Sequence, residues 1–311
     1  MKKFFGAAIT LAALAAVVAC SESSTSTNDP SNPGSGGGGG DGGHSPTPGP
    51  GTKVKAGTVT MTQTVVSAGG TEIVNAAAGA GFYEGTLNAS GSGDASCTES
   101  KEGDCTITEC DLGPTPDGGT ETDAGTTKSP HAGEIAIKSA SEIKLTPDAD
   151  GKYDGKSEQS RLWTNGGDIS VTAAGADVPA FETSLKGPSA VEVTAPAWPA
   201  LGAALEIDRA NDLEITWSDG GAGSVQAMVS SSTDDTKKVA TVSCVFKSDT
   251  GGGKIPKAAL SKLIAGDKAS ISVHAATIEE VTAGDWKVSV AAMTSATTSG
   301  GDMASAQAKI K

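Results

Sequence analysis

The chain has 311 residues, 42 of them glycine, with only 4 % aromatic side chains and a formal charge of −14 at pH 7. So acidic a balance repels phosphate backbones and sets nucleic acid aside as a partner. Scarce aromatics beside abundant Gly, Ala, Ser and Thr suit a turn-rich secreted β-protein better than a tightly packed enzyme.

The first element in chain order is a leader, residues 1–19. Lys2 and Lys3 are followed by an almost unbroken apolar run from Phe4 to Val18, too short and too Ala-rich for a comfortable membrane span. Its end, Val17-Val18-Ala19-Cys20, resembles the lipobox of bacterial lipoproteins. The resemblance implies diacylglycerol on the Cys20 thiol, cleavage before Cys20 and acylation of the new amine. Losing Lys2 and Lys3 with the leader would take the charge from −14 to −16. Lipid chains bury about 0.8 kcal/mol per methylene, so two or more anchor a protein firmly to a membrane. Ser21 follows the cysteine, and by the lipoprotein sorting pattern the lack of Asp there implies delivery to the outer membrane.

Residues 20–52 read as a disordered tether: Ser and Thr, a glycine run from Gly36 to Gly40, then Pro46, Pro48 and Pro50. A flexible coil of that length reaches on the order of 30 Å. Beyond it the pattern changes to short alternating runs. Val59, Met61 and Val65 share one strand face, with Thr60, Thr62 and Thr64 on the other. Further strands are expected at 134–138, 142–145, 168–172, 190–194, 212–217, 224–229, 239–246, 269–275 and 286–292, each bounded by turn residues. One helix is expected over 255–266, with Pro256 near its start, Gly266 past its end, and Leu260, Leu263 and Ile264 on one face.

This pattern predicts an all-β fold of two immunoglobulin-like or fibronectin-like sandwiches, an N-terminal one at 53–188 with long loops and a C-terminal one at 189–311. The boundary is placed at the Lys186-Gly187-Pro188-Ser189 turn. A β-solenoid ranks second, because no short repeat is present. Asp212-Leu213-Glu214-Ile215-Thr216-Trp217, Val242-Ser243-Cys244-Val245-Phe246 and Gly253-Lys254-Ile255-Pro256 loosely resemble a β-sandwich module of Gram-negative surface lipoproteins. That resemblance implies architecture and no activity.

Chemistry-bearing residues are few. His44, His131 and His274 lie far apart and read as solvated. Asp148, Asp150 and Asp154 surround Gly151 and form the one loop that would suit calcium, the only cofactor expected, although Asx-rich turns look the same. Cys97, Cys105 and Cys110 cluster as disulfide candidates, and a pair within 97–110 is expected, while Cys244 reads as a small buried hydrophobe. Trp217 and Trp286 share faces with aliphatic residues and read as core; Trp163 and Trp198, beside turns, are the candidates for exposure. The expected function is non-enzymatic: an outer-membrane-anchored protein for recognition, adhesion or envelope structure, meeting a protein or glycan ligand. The alternative is a secreted hydrolase whose catalytic residues the sequence does not single out.

Overall fold

The computed structural model describes residues 53–68, 71–86, 96–112, 128–200, 202–218, 220–221 and 223–311. The leader, Cys20, His44 and the tether lie outside the described residues. The first strands are β1 (Lys53–Ala68), β2 (Thr71–Thr86), β3 (Ser96–Glu102), β4 (Cys105–Asp111), β5 (Ile135–Lys138), β6 (Glu142–Leu145) and β7 (Lys156–Glu158). Then come β8 (Asp168–Ala173), β9 (Phe181–Lys186), β10 (Glu192–Ala195), β11 (Ala204–Ile207), β12 (Leu213–Ser218), β13 (Ser224–Ser232) and β14 (Lys238–Lys247). The last are β15 (Gly252–Ile255), helix α1 (Lys257–Leu260), β16 (Gly266–Ala283), β17 (Trp286–Ser295), β18 (Thr297–Thr298) and β19 (Ser305–Ile310).

The fold is an all-β sandwich. One long sheet runs β3-β4-β14-β13-β16-β17-β1-β2-β7, with β19 joining the first half of β16 and β11 pairing with β19. Two four-stranded sheets, β15-β12-β10-β18 and β6-β5-β8-β9, complete the molecule. Each packs on its own stretch of the long sheet. Val225, Ala227 and Val229 of β13, Val242 of β14 and Ile271 and Val273 of β16 meet Val193, Ile215, Trp217 and Ile255 in a first core. Val59 and Met61 of β1 with Val288 and Val290 of β17 meet Ile135, Ile137, Ile169 and Val171 in a second.

Both cores lie on the same face of the long sheet, as the register requires. Val59 stands opposite Val290, Ala275 opposite Thr294, Val225 opposite Ala275 and Val242 opposite Val229, so one alternation runs unbroken across the strands. Long strand β16 belongs to both halves. Ile271 and Val273 fill the first core, whereas Val281 and Ala283 pack against the second.

The chain is therefore not shared out at 188. β1 lies parallel to β17, and β4 pairs with β14, so strands from either side of the Lys186–Ser189 turn alternate within one sheet. The helix is also shorter than expected: α1 spans one turn, because Ile255 is held opposite Leu213 in β15 and β16 begins at Gly266. Leu260 and Leu263 still face the first core, which supplies what a single turn lacks by itself.

Candidate functional site

The Asp148–Asp154 loop is a closed hairpin turn. Pro147 bridges to Tyr153, and the Asp148 carboxylate oxygen Oδ1 accepts the backbone N–H groups of Asp150 (2.9 Å) and Lys152 (2.8 Å). Gly151 has φ +82°, and a Cβ there would run into the Ser129 carbonyl, so glycine is required for the turn. One carboxylate thus serves the backbone, and among the described residues no three His, Cys, Asp or Glu side chains gather as a metal group. Millimolar calcium is expected to leave the melting temperature of metal-stripped protein unchanged. A rise by mass action would restore the loop as a calcium site.

Cys97 is bonded to Cys110 and Cys105 to Cys244. Cys244 is fully buried, as its alternation indicates, but it is no free thiol; the register sets it directly opposite Cys105. Cys97 and Cys110 are likewise directly opposed across β3 and β4. The two bonds staple strands β3, β4 and β14 together, one on each face of the sheet.

Of the two tryptophans expected at the surface, Trp163 is covered and Trp198 is partly buried. Trp163 is fully buried, with its indole over Gly187, and Trp198 packs against the first core. The turn residues beside them suggest exposure, yet they only carry the chain back across the sandwich. Trp163 therefore offers no stacking surface for a sugar.

His131 borders a recess of about 510 Å³ with Glu84, Lys128 and Asp177. Its Nδ1 accepts the Gly133 N–H at 3.2 Å, so Nε2 carries the proton and faces Asp177 at 3.7 Å. In that arrangement the ring has no free lone pair with which to act as a base.

His274 is not solvated as its position on a polar strand face suggests. It is largely covered, and burial pushes its pKa below the usual 6.5. An unfolded chain binds the proton that the folded one refuses, so stability falls as the pH drops through the window below 6.5. On its sheet face Lys247 is the nearest charge, two strands away at the level of Ala276, with Glu280 and Lys287 farther along β16 and β17. The melting temperature is expected to fall as the pH drops below 6.5, and to fall less in His274→Gln; equal losses would show that other groups govern the acid limb.

The feature that sets this molecule apart is the other face of the long sheet, which neither small sheet covers. β1 presents Ala56, Thr58, Thr60, Thr62 and Thr64 there. β2 adds Asn75, Ala77, Gly79 and Gly81, and β17 adds Ser289, Ala291, Met293 and Ser295. Across β13 and β14 the same face continues as Gln226, Met228, Ser230, Thr241 and Ser243. Hydroxyls and amides bond sideways between strands: Thr64 with Ser295 at 3.0 Å, Gln226 to Ser243 at 2.9 Å and Ser230 with Thr241 at 3.2 Å. On strands β14, β13, β16, β17 and β1, from Ala56 and Ser270 onward, charge on this face is confined to Lys247, Glu280 and Lys287. Six large apolar side chains stand exposed among the described residues, and Ile73, Tyr83, Val245 and Ile278 all belong to this face.

No protein-family model matches the chain, and no curated protein matches it. The open face must therefore be read from its chemistry. Its central strands present hydroxyls and methyls, studded with a few larger apolar groups and little charge. The Thr58–Thr64 stripe is legible in the sequence. The remainder is not, because it depends on which strands lie side by side.

Proposed function

We propose that the protein is an outer-membrane lipoprotein, anchored through lipid on Cys20, that works without catalysis in recognition, adhesion or envelope structure by presenting the open face of its long sheet. The observation that carries this reading is the scarcity of charge on the central strands of that face, where β14, β13, β16, β17 and β1 carry only Lys247, Glu280 and Lys287, together with four exposed large apolar side chains. A solvent-facing sheet in so charged a protein has no need to exclude charge; a binding surface does. The Gly133 N–H that occupies the His131 Nδ1 lone pair supports the same reading over a hydrolase.

Two measurements test it. Cys20→Ala is expected to abolish incorporation of a fatty-acid analogue, and labelling that persists in this variant would refute the anchor. Val245→Asp with Ile278→Asp in the full chain is expected to abolish capture of envelope components by cross-linking, while Met303→Asp, at an exposed residue on another surface, retains it. Capture that survives the paired change would remove the open face as the working surface.

A further inference from the structure

We propose that the outer edge of β2 beyond β7, from Phe82 to Glu84, joins the same edge of a second copy of this chain, so that two long sheets become one. β1 pairs with β2 along its whole length, but on the other side β7 covers only Ala76 to Ala78. The Ala78 carbonyl stands beside Gly155, on the β7 side. Alternate residues of a strand direct their backbone groups the same way, so Phe82 and Glu84 point their N–H and C=O outward. Among the described residues no backbone hydrogen bond reaches those groups.

Sheet edges are ordinarily blocked by proline, by bulges or by outward charge. β3, near the other end of the long sheet, carries Glu99, Lys101 and Glu102. The β2 edge has no proline, and its register with β1 runs without a bulge. Gly81 and Tyr83 are exposed, and the one charge, Glu84, is drawn to Lys55 at 3.4 Å. Beneath the edge, the recess bordered by Glu84, Lys128 and Ala149 leaves room for side chains of an added strand.

Register selects a second copy as the occupant. A two-fold axis at right angles to the sheet sets β2 antiparallel to its counterpart, and outward-bonding residues must then meet outward-bonding residues. Centred on Tyr83, the axis pairs Phe82 with Glu84 of the second copy, each pair exchanging both N–H···O bonds, and sets Gly81 opposite Gly85. The two Tyr83 side chains stand directly opposite each other on the open face, an aromatic cross-strand pair. Moving the centre to Phe82 sets Thr86 opposite Ala78, where Lys156 of β7 already lies. Moving it to Glu84 sets that carboxylate against itself. The Tyr83 register avoids both conflicts. The union runs the two open faces side by side, and it rests on neither the lipid anchor nor the open-face reading.

Disulfide trapping tests the register, on the full chain carrying Cys20→Ser, which removes the one thiol outside the disulfides. Opposed residues of a non-hydrogen-bonded pair lie about 4.5 Å apart at Cα, within disulfide reach, whereas Gly81 and its counterpart would lie about 14 Å apart. With diamide as oxidant, Tyr83→Cys is expected to link into dimers. Gly81→Cys, where an added Cβ meets nothing, is expected to remain monomeric. Adding Glu84→Pro removes an outward N–H and leaves the bonds to β1 in place. It is expected to abolish the Tyr83→Cys dimer while unfolding stays cooperative. Should Glu84→Pro lose cooperative unfolding, the comparison of residues 83 and 81 decides alone. Failure of Tyr83→Cys to link, equal linking at residue 81, or a dimer that survives Glu84→Pro would overturn the edge pairing.

Discussion

Replacing Trp217 by alanine is expected to cost about 3–5 kcal/mol, enough to unfold a protein of ordinary stability. The side chain is only 4 % exposed, its ring stacks on Phe246 at 6.0 Å, and its indole N–H donates to the Ser248 carbonyl at 2.8 Å. Aromatic rings are few in this chain, so no neighbour is available to fill the hole. Trp217→Phe separates the two contributions: it keeps most of the stack and loses the hydrogen bond, at about 1–3 kcal/mol. Denaturant unfolding of the full chain, with acrylamide quenching of tryptophan fluorescence, is the measurement. The whole body is needed, because β4 completes the sheet against which residues 213–217 pack. Near-wild-type unfolding of the alanine variant with strong quenching of the parent would show that Trp217 faces a ligand instead.

The second large effect is expected from the Cys105–Cys244 bond. It joins residues 139 apart in sequence, whereas Cys97–Cys110 spans 13. In the chain-entropy account, closing a loop beyond a hundred residues is worth about 5 kcal/mol and a short one about 3 kcal/mol. The Cys105→Ala, Cys244→Ala pair is therefore expected to destabilise by about 4–5 kcal/mol, and Cys97→Ala, Cys110→Ala by less. Burial adds to the difference, since Cys105 and Cys244 sit in the first core while Cys97 lies on edge strand β3. Comparing denaturation midpoints of the two pairs decides it. Equal losses would mean that local packing at the edge, not the length of the closed loop, sets the value of each bond.

The all-β class and the inward faces were legible because alternation is a local signal. Leu213, Ile215 and Trp217 announce one face in six residues, and Val242, Cys244 and Phe246 announce its counterpart. Other strands stay silent for physical reasons. β2 reads Asn-Ala-Ala-Ala-Gly-Ala-Gly through its middle and has little β propensity of its own. It is a strand because β1 pairs with it along its whole length. β3 carries Glu99, Lys101 and Glu102 and looks like a loop, yet charge is what protects an exposed sheet edge. The open face was hidden for the same reason. Its members come from strands spread between residues 54 and 295, and only pairing order collects them. The cover over His274 is not legible in the sequence, because it depends on neighbours across the sheet and not on its own strand.

The parallel pairing of β1 with β17 has a mechanical consequence. Ala56 through Gln63 lie alongside Lys287 through Thr294, and β2 flanks β1 on its other side throughout. A pull entering at Lys53 would act along the strand axis, at right angles to the bonds holding β1 between its neighbours. Those bonds would share the load in shear and would have to fail together, rather than opening one after another like a zip. Force spectroscopy that pulls from residue 53 against a fixed Lys311 should therefore find rupture at high force in a single event. A stepwise low-force record would mean that β1 peels from one end.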